Sequence, residues 1–176
     1  MSTQHPLSFV RRRSVLITLT FLVMLSNSVA AQQSNEQAEM KRLELQADEL
    51  IIVGDPNGAA QAIGKAAMMA GILAKQEADE TLQKLYTGTK SFFRTQENGY
   101  RSLAIFEQAG GQPPAPTSAC QLLDLAKQHN TKAQDILSSI DMAITSNTTY
   151  LAKRYRTQSQ EWAEIIKELK TDFACS

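Results

Sequence analysis

Between Thr117 and Thr171 the chain contains neither glycine nor proline. Those two residues are the usual punctuation of a polypeptide, glycine through its freedom at positive φ and proline through its locked φ and missing N–H. Without them, Leu122, Ala126, Ala133, Leu137, Ile140, Ile144, Leu151, Tyr155, Trp162, Ile166 and Leu169 form a nearly continuous stripe at helical spacing. Such a stripe is the buried face of a helix rather than a cofactor box. The only two cysteines, Cys120 and Cys175, bracket it. One straight helix over 118–171 would be about 80 Å long at 1.5 Å per residue. A disulfide needs its Cα atoms within roughly 7 Å, so an intramolecular bond requires the chain to turn back. Ser146-Asn147-Thr148-Thr149, midway between the cysteines, has side chains that compete for backbone hydrogen bonds and is the expected turn. A folded-back bundle is therefore expected. The alternative is an elongated, unbroken helical hairpin whose cysteines pair between chains or stay free.

The first 31 residues read as a cleavable export signal, itself a short helix ahead of the domain. Arg11, Arg12 and Arg13 supply a positive start, Ser14 to Leu25 an uncharged apolar run, and Val29-Ala30-Ala31 the small residues that signal peptidase accepts. Cleavage is expected after Ala31, with Ala30 as the second choice. The apolar run falls short of the roughly 20 residues of a membrane span, so no stable membrane span is expected after cleavage. Arg12-Arg13-Ser14-Val15-Leu16 is a partial twin-arginine match, but the strongly apolar core favours the general secretory route. Export places the protein in the periplasm or outside the cell, where two cysteines pair. Removing the segment takes away three arginines and no acid, so acidic residues outnumber basic ones by three. No basic patch is then expected, which argues against nucleic acid as a partner.

Residues 32–176 read as a single all-α domain, a bundle of long amphipathic helices. Glu36 to Ile51 forms the first helix, with Met40, Leu43, Ala47 and Leu50 on one face. Gly54-Asp55-Pro56-Asn57-Gly58 is a sharp break. A second helical region runs from Ala59 to Ala109, rich in Ala and Gly at first and then bulky, with Thr87-Gly88-Thr89 as its weak point. Gly110 to Pro116 is a Gly/Pro linker between two helical halves, after which Thr117 or Ser118 is expected to cap the next helix. Within the small-residue segment, Gly64, Ala67 and Gly71 share one helix face. This is a helix-packing face, turned toward the chain's own core or toward a partner.

Catalytic parts are not to be found in the sequence, and no catalytic, cofactor-binding or metal-binding residue is assigned. His129, in the polar stretch Lys127 to Thr131, reads as a solvated helix residue. No zinc set, nucleophile elbow or phosphate loop can be assembled. Glu77, Asp79 and Glu80, and likewise Glu161 and Glu164, read as solvated faces beside Lys75, Lys84, Lys167 and Lys170. Asn147-Thr148-Thr149 matches a glycosylation sequon, which has meaning only in a eukaryotic host.

Val53-Gly54-Asp55-Pro56, followed by Ala60-Gln61-Ala62-Ile63, resembles the turn and Ala/Gln-rich helix of minor pilin or pilus-tip subunits of conjugative type IV secretion systems. The resemblance covers roughly residues 30–75. It implies a periplasmic, helical, non-enzymatic assembly component with other envelope or secretion-apparatus proteins as partners, and leaves a homo-oligomer open. It assigns no functional residue. A periplasmic binding or chaperone-like protein is the alternative.

Overall fold

The computed structural model describes residues 35–140 and 147–175. The expected export signal, its expected cleavage site and Ser146 lie outside them. The chain divides at Glu36/Gln37, and the packing contacts of the bundle belong to the unit beginning at Gln37. Five helices are described: α1 (35–52), α2 (Pro56–Gln76), α3 (Glu80–Gln108), α4 (Thr117–Ser138) and α5 (Asn147–Asp172), with no strand among the described residues. The all-α bundle expected from the sequence is what forms.

Local chemistry sets the boundaries. At the end of α1, Gly54 turns to φ 81°, its N–H reaches Ile51 O at 3.2 Å, and Asp55 N–H reaches Leu50 O at 2.9 Å. These paired bonds satisfy carbonyls that the helix leaves open, and a left-handed residue at that place favours glycine. Asp55 then starts α2 by accepting from Gly58 N at 2.8 Å, with Pro56 in the first turn. Gly110 closes α3 the same way, at φ 99°, with Gly111 N–H on Phe106 O at 2.9 Å.

The helical region expected over 59–109 is broken, but not at its expected weak point, Thr87-Gly88-Thr89. It breaks at Glu77–Asp79, where Asp79 accepts from Leu82 N at 2.8 Å and caps α3. Gly88 lies inside α3, and a Cβ there would stand 2.7 Å from both Cγ and Cδ2 of Leu137. Its hydrogen is needed to seat α4, and that packing outweighs the roughly 1 kcal/mol helix penalty of glycine. Gly99 seats α5 likewise, its virtual Cβ 2.5 Å from Trp162 Cζ3. The cap expected at Thr117 or Ser118 is not made: Pro116 precedes α4 and no side chain caps it.

The chain folds back between α4 and α5, as preferred from the sequence, but Asn147–Thr149 take no part in the turn. Helix α4 ends at Ser138, and Asn147, Thr148 and Thr149 already belong to α5. Ser138 Oγ donates to Asp135 O at 3.0 Å and Ser139 Oγ to Ile136 O at 2.7 Å. Two adjacent hydroxyls thus compete for the last carbonyls of α4.

The main core joins Met40, Leu43 and Ala47 of α1 to the buried alanines, Ile63 and Leu73 of α2, Phe92 and Phe93 of α3, Leu137 of α4, and Tyr155 and Ile166 of α5. Tyr155 meets Phe93 edge-on with centroids 5.6 Å apart. A smaller core of Ala119, Leu123 and Phe173 closes the disulfide end, where Phe173 stacks on Phe106 at 4.0 Å.

Candidate functional site

Cys120 and Cys175 form a disulfide within the chain, with Cα atoms 5.6 Å apart. Helices α4 and α5 run antiparallel, so the first turn of one meets the end of the other. Around the bond, Lys170 Nζ pairs with Asp124 Oδ1 at 2.7 Å and Ala115 N–H donates to Phe173 O at 2.8 Å. Midway along the pair, Ser159 Oγ donates to Asn130 Oδ1 at 2.8 Å, and Gln134 Nε2 to Ser159 O at 3.1 Å.

The small-residue face of α2 turns inward. Ala67 is fully buried. A Cβ on Gly64 would meet Glu97 at 3.1 Å, and one on Gly71 would meet Lys90 Cδ at 3.3 Å, both side chains of α3. Among the positions the α1–α2 hairpin leaves outside are several apolar ones. Leu45 and Ile52 on α1, Val53 in the turn, and Met68 and Ile72 on α2 stand 40% to 82% exposed. Adjacent to the core, Glu44 is buried and pairs with Lys41 at 3.2 Å and with Arg154 of α5, while Tyr155 Oη donates to it at 3.4 Å. Burial and the nearby Glu44 carboxylate raise the Asp48 carboxyl above its ordinary range.

The expectation of no basic patch fails locally. Lys90, Arg94 and Arg101 recur on one stripe of α3 and face His129 and Lys132 of α4 across a groove of about 450 Å³. Glu97, on the same stripe, is only 13% exposed; Arg94 pairs with it, and Arg101 lies 3.6 Å away. His129 is half-buried in this groove rather than solvated. Burial, then the Arg94 and Lys132 charges, hold its imidazole below the usual histidine range. The net charge of a chain is a sum and hides such gatherings; the spacing of 90, 94 and 101 is the readable sign.

A second groove, of about 400 Å³, lies among α1, α3 and α5. Tyr100 and Trp162 meet edge-on there at 5.3 Å, and Asp48, Glu161, Gln96 and Gln158 line it. Gln96 Oε1 and Gln158 Oε1 are buried without a hydrogen-bond partner. Of the acids read as solvated, Glu80 pairs with Lys84 at 2.6 Å and Glu164 with Lys167 at 3.5 Å, while Asp79 is the α3 cap. Among the described residues, no group of His, Cys, Asp and Glu gathers to hold a metal, and no helix is long and apolar enough to cross a membrane. Against known protein families, curated proteins and solved structures, the chain matches none.

Proposed function

We propose that this chain is an exported, non-enzymatic assembly component of a cell-envelope apparatus, of the kind found in type IV secretion or conjugal transfer systems. Its workplace is the periplasm or the outer surface, and its partners are other envelope or secretion-apparatus proteins. The observation that carries this reading is the set of exposed apolar side chains on the α1–α2 hairpin. Five apolar side chains stand in solvent there, although the same hairpin buries its small residues against α3. Exposed apolar side chains in this number on one hairpin suit a protein interaction surface. The Cys120–Cys175 bond suits an oxidising compartment.

The test is site-specific photocrosslinking from positions 52 and 68 in intact cells of the native host. One or two discrete envelope proteins should be captured, and Ile52→Asp or Met68→Glu should abolish capture while the helical signal and disulfide remain. Capture of a broad smear of unfolded chains instead would replace this reading with the chaperone-like one. Recovery of the protein with Met1 intact would remove the export step on which the location rests.

A further inference from the structure

The groove between α3 and α4 has a chemistry that the assembly reading does not use. Its charged lining consists of Lys90, Arg94 and Arg101 from α3, Lys132 from α4 and one carboxylate, Glu97. Four cations against one acid leave an excess of three positive charges, His129 not counted. Concentrating that excess along one groove costs self-repulsion unless an anion enters.

The two arginines meet at one point rather than merely sharing a face. Glu97 sits between Arg94 and Arg101 while only 13% exposed, so the guanidinium groups already flank an anionic point. The Lys90 side chain lies along α2, with Cδ 3.3 Å and Nζ 3.6 Å from where a Cβ of Gly71 would stand. The neutral polar groups of the groove are already engaged: Ser91 Oγ donates to Thr87 O at 3.2 Å and Asn98 Nδ2 to Arg94 O at 2.7 Å. Recognition there falls to charge and to guanidinium forks, which match a tetrahedral oxyanion.

We infer that this groove binds a phosphate-type oxyanion, whether free in solution or carried by a lipid headgroup. A carboxylate would neutralise one of the three excess charges, whereas a phosphate or sulfate dianion neutralises two. Glu97 then acts as a built-in competitor for the two arginines. Binding of this kind requires neither the exposed hairpin nor any envelope partner.

His129 reports on the site. The charged groups facing it are Lys90, Arg94 and Glu97 from α3 and Lys132 from its own helix. An anion in the groove favours the imidazolium form, so its titration moves upward on binding and affinity rises as pH falls through it.

The protein as recovered from its host is titrated with inorganic phosphate, with sulfate for the pH series and with chloride at matched ionic strength, following the His129 ring protons by NMR. Phosphate and sulfate should shift His129 where chloride does not. Lys132→Gln should weaken binding by about tenfold or more, the scale of one charge-assisted contact. Glu97→Gln should tighten it, by roughly threefold or more, and a gain in affinity cannot come from a damaged fold. Sedimentation with phosphatidylglycerol vesicles forms the second arm. Binding to vesicles alone, reversed by Lys132→Gln, assigns the anion to a lipid headgroup; binding to free phosphate assigns it to solution. If neither probe binds beyond the chloride control, or if Glu97→Gln binds no tighter while remaining folded, the inference is overturned.

Discussion

Gly71 and Gly99 both sit inside helices, so replacing either with alanine recovers about 1 kcal/mol of helix propensity. Their surroundings give the two substitutions opposite signs. At Gly71 the new methyl meets Lys90 Cδ at 3.3 Å, in a side chain that can swing outward. Most of the propensity gain survives, and Gly71→Ala should stabilise by about 0.5–1 kcal/mol. At Gly99 the methyl arrives 2.5 Å from Trp162 Cζ3 and 3.1 Å from Cη2, in a rigid ring braced by Tyr100. Overpacking of that kind costs about 1–3 kcal/mol, and a displaced Trp162 also loses its contact with Tyr100. Gly99→Ala should therefore destabilise by about 1–2 kcal/mol, a fall of roughly 2–8 °C in Tm. Urea titration of both variants measures the difference. The chain has a single tryptophan, so the same titration reads its environment directly: the emission of Gly99→Ala should shift to the red before unfolding, and that of Gly71→Ala should not. If Gly99→Ala were as stable as Gly71→Ala with unchanged emission, the claim that α5 is seated in a glycine notch of α3 would be wrong.

Three further outcomes are expected. Replacing Cys120 and Cys175 together with serine frees a loop with ends 55 residues apart, which on the chain-entropy estimate costs about 4 kcal/mol, measurable by urea unfolding. Ala174 holds a left-handed φ of 53° while Cys175 N–H reaches Lys170 O at 2.9 Å; Ala174→Gly should raise stability by about 0.5–1 kcal/mol, and no gain in thermal unfolding would show that the bend is unstrained. Asp48 has a raised folded pKa, so its charged form is disfavoured by folding above that value and the cost vanishes as pH falls below the unfolded one. Asp48→Asn should accordingly stabilise at neutral pH, with the gain disappearing as the medium becomes acidic; an advantage independent of pH would refute that account.

Much of the architecture is legible in the sequence because its signals are local. Gly54, Asp55 and Pro56 each do one job over a few residues, and Met40, Leu43 and Ala47 are buried where helical spacing puts them. The breaks inside the long regions are harder to read. Glycine at Gly88 looks like a weakness in one helix, but its role there depends on Leu137, nearly fifty positions away. The actual α2–α3 break is signalled by Asp79, whose carboxylate is as good a cap as it is a surface charge. Ser138 and Ser139 carry the same ambiguity as Ser146 to Thr149, and only the pairing of α4 with α5 decides between them. The basic groove is half legible: the spacing of 90, 94 and 101 marks its α3 side, but His129 and Lys132 come from a second helix whose placement no single-chain pattern records.

The disulfide has a mechanical consequence. If tension is applied between α1 and the chain beyond Cys175, the force does not run through α5. It crosses from Cys175 directly to Cys120 and enters the first turn of α4. The 55-residue span between the two sulfurs is shunted out of the load path, and with it roughly 190 Å of contour length that would otherwise unspool as the chain extends. Stretched in an optical trap, the oxidised protein should yield only the length of α1, α2, α3 and their links, and a reducing agent should release the remainder as a separate step. A component so wired resists elongation at one end while its other helices remain free to give.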